Sequence, residues 1–425
     1  MTISAAAPFE STVIRRRMMD LAVEEHTLTV PLVWSDPSDS RTIDVFASVV
    51  AREGGEDLPY LVFLQGGPGS EAPRALHAPA APSWLDQALQ HHRVVMIDQR
   101  GTGRSTPVGD GILSLGSETV AEYLTHLRAD AIVRDCEAIR SHLGVDRWNV
   151  LGQSFGGFTT LAYLSTDASS IDRAYLTGGL STVTRSPDEV YALCYEKMRD
   201  ASERYYRRFP EHRERMRRLV DLASAGEIVL PSGEVVSPSR LRSVGSALGT
   251  NDGWQTLWQL LELDPSSNAF RYDLASAMPF GGRNPLYFVF HESSYANGHV
   301  TDWSAERVEP DDFVQDVTLF TSEHIRRDWT ETVPAFQPWR EVALILADHE
   351  WPAIYDPAAL AASGVKGAAS VYVNDPYVPI EYSLETAALL PDLRLWVTSE
   401  HEHNGLRAGR VFEHLVDLAH DRRVR

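Results

Sequence analysis

The segment Trp148-Asn149-Val150-Leu151-Gly152-Gln153-Ser154-Phe155-Gly156-Gly157 leaves little freedom in how its surroundings can fold. Its first four residues read as a short buried strand and Phe155–Leu164 as a helix, with Gly152 and Gly156 bracketing a serine on the bend between them. A Gly-x-Ser-x-Gly pattern alone is weak. Between a strand and a helix it puts the serine on a sharp, strained turn at a helix N-terminus, where developing negative charge is favoured. Ser154 is therefore a candidate nucleophile, and the N–H of Phe155 a candidate donor to the oxyanion such a nucleophile creates. Read as structure only, the same pattern is a Gly-rich β-to-α turn.

The rest of the chain carries a rhythm that suits this turn. Leu28–Val33 and Thr42–Val50 read as an antiparallel pair joined by a turn at Asp36-Pro37-Ser38-Asp39. Short apolar strands follow at Tyr60–Leu64 and Arg93–Ile97, a helix at Ala121–Leu143, and a strand at Arg173–Thr177. Strand–helix alternation of this kind predicts an α/β fold, a mostly parallel sheet with helices on both faces. From about Ser181 to Pro334 strand signals thin out, and periodic polar–apolar runs take over at Pro187–Phe209, Arg213–Ala225, Trp254–Leu263 and Pro310–Trp329. The alternation then resumes with Val342–Leu346, Ala369–Val373 and Leu393–Val397 as strands and Gly409–His420 as a closing helix. The expected organisation is a core at 1–180, an inserted, mainly helical cap at 181–334, and the remainder of the core at 335–425. A chain of 425 residues is long enough for both parts.

Composition removes several classes. The formal net charge of −20 repels phosphate backbones and anionic lipid, so neither nucleic acid nor a membrane is an expected partner. No window approaches the roughly 20 apolar residues that cross a bilayer. Met1–Met19 lacks the apolar stretch of a signal peptide, which predicts a cytoplasmic protein. The two cysteines, Cys136 and Cys194, make neither a disulfide framework nor a zinc site, and no metal or other cofactor is expected. The Arg/Glu-rich stretch Tyr205–Arg218 reads as a solvated helix face with ion pairs at helical spacing.

Two further motifs precede the serine. Gly66-Gly67-Pro68-Gly69 directly follows the Tyr60–Leu64 strand, where glycine lets a backbone N–H approach a nucleophile; Gly66 and Gly67 are both candidate oxyanion donors. Asp98-Gln99-Arg100-Gly101-Thr102-Gly103-Arg104-Ser105 follows the next strand, with Asp98 and Arg100 expected to tie down loops. Taken in order, the three motifs resemble those of the proline iminopeptidase (prolyl aminopeptidase) family of α/β hydrolases: a His-Gly-Gly-Pro-Gly loop, an Asp-Gln-Arg-Gly-x-Gly-x-Ser loop and a Gly-x-Ser-x-Gly-Gly elbow. Gln65 stands where the commoner pattern has His, which leaves the glycines intact and points to a longer, divergent subgroup.

A hydrolase of this kind places its acid and then its base after the nucleophile in the chain. The loop after Leu393–Val397 holds His401 and His403; His403 precedes Asn404-Gly405-Leu406 and matches the family's His-(Asn/Asp)-Gly-Leu segment, while His401 is the rival. Asp375 ends the preceding strand and matches an Asp-x-Tyr-Val segment, with Asp348 and Asp356 as rivals. The long gap from Ser154 to Asp375 again calls for a domain-sized insertion. The resemblance further implies that Glu292, in Phe290-His291-Glu292, and Glu323, in Thr321-Ser322-Glu323-His324, bind the amino end of a small peptide substrate. Phe155, Tyr295 and Trp303 are candidate walls of a proline pocket. The implied activity is a serine aminopeptidase releasing an N-terminal residue, proline above all. An esterase or amidase with no need for a free amine, or a hydrolase-like binding protein without chemistry, are the alternatives.

Overall fold

The computed structural model describes residues 9–75, 77, 80 and 82–422. The parts of the expected segments that fall on 1–8 and 423–425, including the start of Met1–Met19, lie outside the described residues. Among the described residues nine strands form one sheet: β1 (Ser11–Met18), β2 (Leu21–Pro31), β3 (Thr42–Arg52), β4 (Tyr60–Leu64), β5 (Arg93–Ile97), β6 (Trp148–Gln153), β7 (Ile171–Thr177), β8 (Lys366–Tyr372) and β9 (Leu393–Thr398). Their order is β1-β2-β3-β5-β4-β6-β7-β8-β9, antiparallel from β1 to β5 and parallel from β5 to β9. β4 and β6 are buried almost end to end, as strands covered on both faces are. The helices Ser117–Thr125, Ala129–His142 and Phe155–Thr166 share one apolar core on one face. Ser83–Ala88 and Val411–Ala419 pack through Trp84, Leu85, Phe412 and Leu415 on the other.

β7 and β8 are parallel neighbours, although all of residues 178–365 lie between them. That stretch is helix and loop apart from one isolated bridge, Val229 to Val235. It builds an apolar cluster of its own from Tyr195, Met198, Tyr205, Leu241, Leu260 and Phe320 among others. The long helix Pro187–Arg208 opens with a capping box of Ser186 and Glu189 and ends at Phe209-Pro210, where Glu211–Ser224 begins. Among the described residues no helix is long and apolar enough to cross a membrane. Both cysteines are free and buried.

Several expectations need correction. Val342–Leu346 is not a strand but part of the helix Arg340–Ala347, which packs on Ser117–Thr125. Val342, Ala343, Leu346 and Ala347 are buried while Glu341 and Ile345 are exposed, a helical spacing that a five-residue apolar window conceals. Ala121–Leu143 is two helices broken at His126–Arg128; the buried Arg128 guanidinium donates to the carbonyls of Pro352 (2.9 Å) and Ala296 (3.0 Å), a tertiary demand that no local breaker announces. Pro310–Trp329 is mostly irregular, with only Asp311–Gln315 helical before Trp329–Thr332. The edge strand β1 has no run of buried apolar residues to announce it: it is exposed, Val13 and Ile14 included, and held to β2 by backbone pairing and by Arg15–Glu24 and Arg16–Glu25 ion pairs.

The Asp98–Ser105 loop is structural. Arg100 and Asp135 form a bidentate pair at 2.6 and 2.7 Å with side chains 0% and 1% exposed, and Arg100 also donates to the carbonyls of Leu32 and His126. Asp98 accepts from the backbone N–H groups of Ala72 and Arg104 and pairs with Arg74. The loop and the chain after Gly69 are thereby tied to the same edge of the sheet as the serine turn.

Candidate active site

Ser154 joins β6 to the helix Phe155–Thr166 with φ 54° and ψ −124°. A non-glycine residue persists in that region only where its surroundings impose it. Here the Ser154 N–H donates to the Thr177 carbonyl at 3.0 Å and the Ser154 carbonyl accepts from Gly157 at 2.7 Å, so the strained residue is held from the neighbouring strand and from its own helix. Phe155 is the first helical residue, and an N–H there has no partner within the helix. Across from the turn, a Cβ on Gly66 would lie 3.0 Å from Ser154 Cβ and 2.6 Å from Gln153 Oε1; only glycine brings that loop so close. Gly67 follows with φ +127°. Gln65, just before them, is buried; its carbonyl accepts from Gln99 Nε2 at 2.6 Å.

His403 Nε2 lies 2.8 Å from Ser154 Oγ, and His403 Nδ1 lies 2.6 Å from Asp375 Oδ2. The other Asp375 oxygen accepts the N–H groups of Tyr377 (2.9 Å) and Val378 (3.0 Å), so a carboxylate only 1% exposed has partners on both oxygens. Burial acts against a charged His403 ring, but the charge and hydrogen bond of Asp375, reinforced by Glu323, outweigh it and raise its pKa above 6.5. The rivals have other work. Asp356 caps Pro357–Ala362 through the N–H groups of Ala358 and Ala359, Asp348 ends Arg340–Ala347, and His401 packs on Trp396.

The two carboxylates implied by resemblance differ in their surroundings. Glu323, in the irregular stretch after Asp316, accepts from Tyr287 Oη and has His291 Nε2 3.7 Å away. Burial lifts its pKa to about 7, and it interacts electrostatically with both His403 and Asp375. Glu292, 4% exposed, accepts from the N–H groups of Ser304 (3.1 Å) and Ala305 (2.9 Å) and so also caps the short helix Ser304–Arg307; burial lifts its pKa to about 8. With Trp303, Thr301 and Ile325 it lines a cavity of about 20 Å³, room for a single water. Trp303 itself sits in an apolar cluster with Phe288 and Trp329. Tyr295 lies nearer the triad: its hydroxyl donates to the Tyr377 carbonyl at 3.4 Å and its ring stands 5.6 Å from Phe158.

Sequence reasoning missed Tyr377, Tyr287 and His291. Tyr377 carries an N–H to Asp375, and its ring lies 4.8 Å from that of His403. Among the described residues both ring nitrogens of His291, Nε2 of His324, and the hydroxyls of Tyr191 and Ser294 are buried without a hydrogen-bond partner. Only the adjacency of His291 to Glu292 and of His324 to Glu323 in the sequence could have flagged them.

Residues 59–226 match the family described as alpha/beta hydrolase fold. The chain is 38% identical to a proline iminopeptidase of Aeromonas sobria over 94% of its own length and 96% of that protein. It is 28% identical to the proline iminopeptidase aneH of Aspergillus aculeatus over 94% of each. A solved proline iminopeptidase of Mycobacterium smegmatis aligns at 17% identity, over 93% of this chain and 100% of that one, with a TM-score of 0.41, too low to add to the assignment. With near-complete coverage at 38% identity, and a serine turn, glycine loop and interrupted parallel sheet in the expected places, the chain belongs to the proline iminopeptidase family of α/β hydrolases.

Proposed function

We propose that the protein is a cytoplasmic serine aminopeptidase that releases an N-terminal residue, proline above all, from small peptides with a free amino end. The observation that carries the reading is the continuous Ser154–His403–Asp375 hydrogen-bond chain lying within electrostatic reach of a buried acid, Glu323. Ser154 Oγ attacks the carbonyl carbon of the first residue while His403 Nε2 takes the hydroxyl proton. The oxyanion rests on the Phe155 N–H and on an N–H of the Gly66–Gly67 loop. As the C–N bond breaks, His403 passes its proton to the leaving amine, leaving an acyl-enzyme; water then repeats the sequence and restores Ser154. Asp375 keeps Nδ1 protonated and stabilises the imidazolium.

Glu323 and Glu292 supply the negative charge that faces the substrate ammonium. Glu323 bears on the base directly, and Glu292 also fixes the start of Ser304–Arg307. In a water-poor interior a carboxylate without its ammonium partner is costly, and so is an uncharged substrate end in its place. Phe155 and Tyr295 are the apolar walls, and Trp303 stands behind Glu292. In this reading 1–180 and 335–425 form the catalytic body and 181–334 the cap. A free prolyl amide and its N-acylated counterpart, assayed side by side, test the proposal. Selective turnover of the free amide supports it, and equal turnover of both sinks the amine requirement in favour of an esterase or amidase.

A further inference from the structure

The segment Ser243–Asn251 belongs to the helical insertion, yet several of its polar groups bond to the loops that carry the acid and the base. The short 3-10 helix Ser243–Gly249 ends beside His403, whose backbone N–H donates to the Gly249 carbonyl at 3.0 Å. Two residues on, Asn251 engages the same loop several times. Its side-chain Oδ1 accepts from the Glu402 N–H at 2.6 Å, and its backbone N–H donates to Asn404 Oδ1 at 2.9 Å. Its Nδ2 lies 3.5 Å from His401 Nδ1. Two successive backbone N–H groups, those of Glu402 and His403, therefore end on acceptors of the insertion rather than on the loop or the sheet.

The acid loop is held from the same place. Tyr377 donates its hydroxyl to the Ser246 carbonyl, and its ring lies so close to Gly249 that a Cβ there would come within 2.2 Å of it. The Tyr377 N–H binds Asp375 Oδ1. Within the base loop itself, Gly405 N–H to the Glu402 carbonyl and Glu400 N–H to Thr398 Oγ1 shape the turn but do not restrain it against Ser154.

We propose that Asn251 is a positioning residue for His403, the point at which the cap latches the base loop so that Nε2 stays in hydrogen-bond reach of Ser154. The cap is then part of the mount of the catalytic base as well as its roof, and displacement of the 243–251 corner withdraws the base. The proposal rests on His403 being that base. A shift of the imidazole by about 1 Å lowers turnover by roughly a hundredfold without altering how substrate is held.

Steady-state kinetics on a prolyl arylamide, normalised to active sites labelled by a fluorophosphonate, separate this role from a purely structural one. Asn251→Ala is expected to lower kcat by roughly tenfold to a hundredfold with KM within about twofold, and to slow fluorophosphonate labelling of Ser154 in proportion. Asn251→Asp keeps the acceptor for Glu402 N–H and is expected to recover most of kcat, with the acid limb of its pH profile moved upward by the added negative charge near His403. Asn404→Ala removes one bond of the latch from the other side and is expected to show the same kcat-only loss, smaller in size; it serves as the test if Asn251→Ala does not fold. Wild-type kcat per labelled site in Asn251→Ala, or in Asn404→Ala where that stands in, overturns the proposal. So does a loss that appears only in KM or only in melting temperature. His403→Ala separates the two levels: full activity there removes the base assignment itself, whereas a dead His403→Ala beside a fully active Asn251→Ala removes only the latch.

Discussion

The carboxyl edge of the sheet and the helical insertion above it handle buried polar groups in opposite ways. At the sheet edge each member of the proposed triad has assigned partners: Ser154 is pinned by Thr177, Asp375 accepts hydrogen bonds on both oxygens, and His403 lies between them. In the insertion Glu292 and Glu323 are raised toward neutrality by burial, and neighbouring His291 and His324, their pKa values driven down to about 3 by the same cause, each keep a ring nitrogen without a hydrogen-bond partner. The first arrangement is preorganised for one proton path. The second leaves burial only partly compensated by the bonds to Ser304, Ala305 and Tyr287, and in the proposed function the remaining partner is the substrate ammonium. In the proposed function chemistry belongs to the sheet edge and selectivity to the insertion, and the two are built by different means.

The largest expected effects break the sheet side. Ser154→Ala should lower kcat by roughly a millionfold, the scale seen when a triad nucleophile is lost, with little change in melting temperature, because the backbone bonds to Thr177 and Gly157 that hold the turn remain and only the Oγ–His403 bond is lost. A kcat within about a hundredfold of wild type would remove the triad reading. Asp375→Asn should lower kcat by about 10⁴-fold through the wrong tautomer of His403, with the loop intact by circular dichroism.

Smaller effects probe the insertion. Glu323→Gln should reduce kcat/KM on free prolyl amides by about a hundredfold, the scale of losing one member of a buried charge pair, and leave the N-acylated amide unaffected. Glu292→Gln should also reduce it, and additionally lower the melting temperature, because it loses an acceptor at the start of Ser304–Arg307. If both variants behaved alike in stability, the contrast drawn between them would fail.

The smallest effect is a shift in pH dependence. As the proposed base, His403 works only when neutral, and its pKa is raised above 6.5, so kcat should fall as pH drops through that raised value. To pair with a substrate ammonium as proposed, Glu323 must be ionised, and burial lifts its pKa to about 7, so kcat/KM should fall over the same interval. Glu323→Gln removes a negative charge that raises His403, and its kcat profile should therefore extend to lower pH than that of the wild type; an unmoved limb would separate the two groups. Away from the cleft, removing one partner of the Arg100–Asp135 pair, as in Arg100→Met, should destabilise by about 3–5 kcal/mol in urea unfolding because it leaves a buried charge alone.

What was legible in the sequence follows from how local each signal is. The turn at Ser154, the glycine loop at Gly66–Gly67 and the short strands β4, β5 and β6 each lie within a few consecutive residues, where backbone geometry and alternating burial restrict residue choice directly. His403 and Asp375 were found through chain order and motif resemblance, since the loops after β9 and β8 are the places this topology opens at the sheet edge. The helix Arg340–Ala347 was misread as a strand because a short apolar run fits both periods, and the break at His126–Arg128 escaped because its cause is the distant carbonyls that Arg128 reaches. By itself the sequence determined the family, the α/β scaffold and the strand–turn–helix that carries Ser154. Tertiary structure decided the separate settings of Glu292 and Glu323, the open polar atoms around them and the grip of Asn251 on the base loop. Each of those depends on which side chains from remote segments are buried together, and burial is a property of the packed chain that no run of neighbouring residues contains.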